Sequence, residues 1–150
     1  MTSLTGTDRR VRQAILDTLG AGGVPTRLGV MQALGLEYAA VSASYAALTA
    51  SHVIVPDGDT GEVWMAMPFS AVPTDVPVVV AGRSLWANCV WDAFGIATAL
   101  DTDVSFVSPC PASGVSIAAG VRRGVAFAPA RAVAHVAVPA HRWWDDIGYT

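Results

Sequence analysis

The sequence predicts an α+β protein. A three-helix lobe closed by a β-hairpin comes first, then a small, mainly antiparallel sheet packed on one apolar helix. Three observations carry this. Apolar residues recur at helical spacing three times before residue 51. Two β-prone runs then flank the turn sequence Pro-Asp-Gly-Asp-Thr-Gly. After residue 70 the chain turns to Val, Ala, Pro and Gly, with strand-length apolar runs separated by breakers around one helix-length segment. A chain of 150 residues suits one domain or two small lobes sharing a core, here divided as 1–70 and 71–150.

The elements follow in order. In "DRRVRQAILDTL" (8–19), Val11, Ile15 and Leu19 form one stripe, with Thr7 as N-cap and Gly20 as stop. Thr26 caps a short second helix bearing Leu28, Met31 and Leu34, which Gly35 ends. A third helix, "EYAAVSASYAALTAS", aligns Tyr38, Val41, Tyr45 and Leu48. The hairpin "HVIVPDGDTGEVWMAM" completes the layout of a winged helix-turn-helix. Its third helix carries Glu37 as its only charge, whereas a DNA reader aims Arg, Lys, Asn or Gln at phosphates and base edges. The lobe is therefore expected to serve packing. A Pro-rich connector leads to a strand at 76–81 and a helix at 84–100. Strands at 103–108, 114–119, 121–128 and 132–138 follow.

Composition bounds the function. Hydrophobic residues make up 53% and charged residues 14%, which excludes a disordered chain. The net charge is −3, and all nine basic residues are arginine. Nucleic acid and anionic membranes are therefore not expected as partners. The N-terminus lacks the apolar core of a signal peptide, and the uncharged run Val104–Val121 is broken by Pro109, Pro111, Gly114 and Gly120. The two cysteines, Cys89 and Cys110, read as free thiols of a cytoplasmic protein.

The chemistry concentrates in "SLWANCVWDAFGIATAL" (84–100). Between Arg83 and Asp101, Asp92 is the only charged residue, and it lies three positions after Cys89. On a helix such positions are neighbours. An acid among Leu85, Trp86, Val90, Trp91, Phe94 and Ile96 either keeps its proton or finds a hydrogen-bond donor. Beside a thiol it can form a proton-transfer pair. The plainer reading makes Cys89 a small core residue and Asp92 an acceptor for an indole or a turn.

Taken together, "LWANCVWDAFGIATAL", "VSFVSPCPASGVSI" and "RWWDDIGYT" resemble the organomercurial lyase (alkylmercury lyase) family over roughly residues 70–150. The resemblance implies protonolysis of carbon–mercury bonds. Cys89 would be the mercury-binding catalytic cysteine, Asp92 the catalytic aspartate, and Cys110 a further, structural cysteine. It also implies a degenerate winged helix at the N-terminus. It implies no cofactor, with mercury entering as substrate and leaving as product ion. The family's second catalytic cysteine follows the block matched here by 143–150, and no cysteine stands there in these 150 residues. Impaired cleavage is the resulting expectation.

Trp86, Trp91, Cys110, Trp143 and Trp144 are the substrate-pocket candidates, although tryptophan more commonly packs a core. Asp145 and Asp146 are expected to pair with Arg142 or to cap. His52, His135 and His141 have no metal-ligand spacing to a cysteine. A small-molecule substrate is the expected partner, and the sequence fixes no oligomeric state. Three rival readings stand beside the lyase. One is a non-catalytic binder of mercurials, soft metals or an apolar ligand. Another is an enzyme using the same pocket for different acid–base chemistry in biosynthesis. The third is a transcription regulator.

Overall fold

A computed structural model describes residues 3–136 and 138–148. Helix α1 spans Gly6–Gly20. Its stripe of Val11, Ile15 and Leu19 is buried as the spacing predicts. The N-cap is Thr5 rather than Thr7. The Thr5 hydroxyl accepts from the Asp8 N–H at 3.1 Å, and the Asp8 carboxylate accepts from the Thr5 N–H at 2.7 Å. This capping box satisfies two amide donors that Thr7 would leave open. Helix α2 (Arg27–Leu34) is capped by Thr26 and stopped by Gly35 at φ 62°, a left-handed conformation glycine adopts without strain. Its fully buried contact is Val30; Leu28 is exposed, and Met31 and Leu34 pack at the rim. Helix α3 (Tyr38–Ala50) buries Val41, Tyr45 and Leu48 and leaves Tyr38 half-exposed.

The hairpin forms from β1 (Val55–Pro56) and β2 (Val63–Ala66), paired antiparallel. Arg27 ties the helices to it. Its guanidinium donates to the Gly61 carbonyl at 2.6 Å, lies 3.5 Å from the Glu62 carboxylate and covers the Tyr45 ring. One of the lobe's arginines is thus turned inward.

Strands β3 (Phe69–Ser70), β4 (Pro77–Val80), β5 (Arg83–Ala87), β6 (Val104–Pro109), β7 (Ser116–Arg122) and β8 (Val125–Phe127) complete one antiparallel sheet of eight, in the order β1-β2-β3-β5-β4-β6-β7-β8. Strand β3, at the boundary expected between 1–70 and 71–150, pairs with β2 on one side and β5 on the other. One apolar cluster runs from Val11 and Tyr45 through Phe69 and Val78 to Ile96 and Phe106.

Three expectations are corrected. The helix placed at 84–100 is a strand followed by a shorter helix, α4 (Val90–Leu100). Leu85 and Ala87 are buried while Ser84 is exposed and Trp86 half-buried. That alternation is a strand's period, hidden in a run apolar enough to suit either element. Downstream, 114–119 and 121–128 become β7 and β8. The first strand runs through Gly120 to Arg122, and the chain turns at Arg123–Gly124 instead. No strand forms over 132–136, and residue 137 lies outside the described residues. That segment, "AVAHV", has a strand's alternation but joins no ladder, although β8 ends the sheet.

Candidate functional site

The reassignment of 84–100 sets the site. Strand β5 carries the chain to its end at Ala87. There the backbone is pinned on both sides: the Ala87 N–H donates to the Val76 carbonyl at 3.1 Å, and the Thr74 hydroxyl donates to the Ala87 carbonyl at 2.6 Å. After Asn88 the chain turns into α4 with Cys89 as N-cap in extended backbone conformation. Asp92 occupies the third helical position. The N-cap and third position lie as close as two helix neighbours would, so the Cys-x-x-Asp spacing yields the expected contact by a different geometry.

The Cys89 thiol donates to Asp92 Oδ2, with Sγ at 3.8 Å. The same oxygen accepts from Asn88 Nδ2 at 3.2 Å. All three side chains are half-buried. Burial pushes the Cys89 thiol up, with the neighbouring carboxylate adding to the effect; the amides of Asp92 and Trp91 in the first helical turn pull the other way. Burial also raises Asp92, against the lowering pull of its bonds to Asn88 and Cys89. Both groups therefore hold a proton more tightly than in water. The thiol is protonated at neutral pH and hydrogen-bonded to the acceptor that can take its proton.

The other predicted residues are spread over several elements. Cys110 follows β6 and starts a turn in which its carbonyl accepts from Gly114. Hydrogen bonding from Ser113 and the amides of Ala112 and Ser113 pulls its thiol down. It lines a cavity of about 340 Å3 with Val90, Phe94, Phe106 and His135. Phe94 and Phe106 meet there edge to face, centroids 5.1 Å apart. Trp86 is half-buried on β5. Trp91 is exposed and borders a wider groove of about 750 Å3 that reaches Arg123. Trp143 and Trp144 lie in a 3-10 turn, Ala140–Asp145. The Trp143 indole donates to the Val138 carbonyl at 3.0 Å, and Trp144 stacks on His52 at 3.9 Å. The Arg142–Asp145 pair forms, at 2.9 Å. Both cysteines are free. Among the described residues no group of three His, Cys, Asp or Glu side chains is arranged to hold a metal ion, and no helix is long and apolar enough to cross a membrane.

Asn88 was not singled out by the sequence reading. The available signal was an amide immediately before the thiol in an otherwise apolar run.

Residues 69–150 match the family model described as MerB, alkylmercury lyase. The chain belongs to the alkylmercury lyase family. Among solved structures it is similar to the mercury-bound form of MerB2, with 24% sequence identity and a TM-score of 0.72 over 86% of this chain. The alignment spans 63% of that protein's chain. No curated protein matches the sequence. The matched segment begins at β3 and contains Cys89, Asp92 and Cys110. The structural similarity extends to most of the chain, so part of the N-terminal lobe shares the fold of that structure as well.

Proposed function

We propose that the protein is a thiol-dependent carbon–mercury lyase acting at Cys89 and Asp92. The observation that carries this reading is the half-buried contact between Cys89 Sγ and Asp92 Oδ2 at the N-terminus of α4, in a chain of the alkylmercury lyase family.

The chemistry follows from the protonation states. Thiolate is the soft protein ligand that a soft metal such as mercury selects. As Cys89 sulfur bonds to the mercury of R–Hg⁺, its proton passes to the Asp92 carboxylate. Asp92, now a carboxylic acid, delivers that proton to the carbon as the carbon–mercury bond breaks. The hydrocarbon R–H leaves, the carboxylate is restored and Hg(II) stays on sulfur. One proton and one ligand have been exchanged, so no cofactor is required. A second sulfur stabilises the departing metal. Cys110 begins a turn flanked by Pro109 and Pro111, which restrict backbone movement on both sides. An external thiol is therefore the better second donor. Trp86 forms the apolar wall in this reading, since it lies on the strand that leads into Cys89. The free thiols suit a reducing, cytoplasmic setting.

The test is incubation with phenylmercuric acetate, with and without excess external thiol. Intact-mass spectrometry and benzene measurement are the readouts. An adduct on Cys89 with thiol-accelerated benzene release supports the lyase. A second reading, capture without release, is favoured by there being only one thiol next to Asp92. An adduct that never releases benzene, even with added thiol, would establish it. No adduct at Cys89 would reject both.

A further inference from the structure

Asn88 spends its two polar ends unequally. Its Nδ2 donates to Asp92 Oδ2 at 3.2 Å, the oxygen that also faces the Cys89 thiol. Its Oδ1 is buried and has no hydrogen-bond partner, one of two such side-chain atoms among the described residues. A buried acceptor left unpaired destabilises a fold, and an apolar side chain of similar size avoids that penalty. The backbone on its N-terminal side is fixed by the paired Ala87 N–H and C=O, so the amide is aimed from a rigid base. Asp92 has no other side-chain donor than Asn88 and Cys89 among its hydrogen bonds in the described residues.

We infer that Asn88 is a positioning residue: its amide holds the Asp92 carboxylate against the Cys89 thiol, at the expense of local stability. The inference rests on the lyase reading and adds a residue to it. Asn88 touches neither mercury nor the organic group. It acts through Asp92, by fixing the rotamer from which that carboxylate takes the thiol proton.

The experiment measures the rate of phenylmercuric acetate adduct formation at Cys89, with Asn88→Leu made in the unsubstituted protein and in Asp92→Asn. Thermal melting is recorded for each. Asn88→Leu should slow capture about tenfold, the effect of losing one hydrogen bond to a charged group, without lowering the melting temperature. In Asp92→Asn the same change should slow capture by less than about twofold, because a residue acting only through Asp92 is not additive with its loss. Asn88→Ala replaces the leucine variant if the latter melts lower. Equal slowing in both backgrounds, or no slowing in the unsubstituted protein, overturns the inference alone. Failure of the unsubstituted protein to form any adduct at Cys89 overturns it together with the lyase reading.

Discussion

Two helix N-termini in this protein use one spacing for opposite ends. At α1, Thr5 is the N-cap and Asp8 the third helical residue. At α4, Cys89 and Asp92 hold the same two positions. The hydroxyl of Thr5 binds the backbone, and Asp8 closes the box on the Thr5 N–H. Its bonds, those from Thr5 first, hold the Asp8 carboxyl below its ordinary value. At α4 no side chain bonds the cap backbone. Asp92 accepts instead from an amide and a thiol, and burial holds it above its ordinary value. An acid used for capping is stabilised as an anion. An acid withheld from capping and half-buried holds its proton more tightly, as the proposed proton transfer requires.

The contrast can be broken by chemistry first. Cys89→Ser gives α4 the Ser-x-x-Asp pattern of a capped helix. Adduct formation with phenylmercuric acetate at this position should be lost completely by intact mass, while the cap adds about 1 kcal/mol of stability to a thermal or urea melt. An adduct persisting on the remaining Cys110 would be mapped by peptide digestion. Asp92→Asn is the next largest change. It keeps the shape and removes the transferable proton, so benzene release should fall by about 100-fold or more while the final yield of Cys89 adduct is retained. Unchanged release would return Asp92 to packing.

At α1 the expected effect is on stability alone. Thr5→Ala should cost about 1 kcal/mol in denaturant unfolding and leave mercurial capture unchanged. The smallest effect is the pH dependence, where the two acids differ in sign. Asp8 is lowered, so its contribution is present above the ordinary carboxyl value of 3.8 and is lost as pH falls through its folded value. Asp92 is raised, so its contribution is present below 3.8 and is lost as pH rises through its folded value. Asp92→Asn should therefore stabilise the protein at neutral pH and lose that advantage in acid. Asp8→Asn should destabilise at neutral pH and lose that penalty in acid. Urea melts of the two variants across the acidic range should converge on the parent from opposite sides.

The same pair of helices shows what the sequence discloses. The stripe of Val11, Ile15 and Leu19 declares α1 because polar residues separate its members. Thr26 and Gly35 mark α2 because each has a backbone job that few other residues do. Between 84 and 100 the polar residues that would reveal a period are scarce, so strand β5 and helix α4 merge into one apolar run. The Cys89–Asp92 contact was legible all the same, since both geometries bring residues three apart together. Asn88 was not, because its role depends on the strand-to-helix turn that the run conceals. The alternation of 132–136 misled for a related reason: alternation is a local signal, whereas a strand also needs ladder partners, and this segment does not pair with β8, the terminal strand of the sheet.

The two thiols also differ in how they meet oxidants. Disulfide exchange, peroxide and iodoacetamide all attack the thiolate. Cys89 is pushed toward the protonated form by burial, whereas Cys110, half-exposed in its turn, is pulled toward the anion. In air or under mild alkylation, Cys110 is expected to be consumed first, as peptide mapping after brief iodoacetamide treatment would show. In the proposed reaction, Cys89 would stay intact until a reagent arrived that could bond sulfur while Asp92 took the proton. Under that proposal, concealing a nucleophile as a neutral thiol is a form of chemical selectivity: a reagent that requires a ready anion would be turned away, and a soft metal that displaces a proton would be admitted.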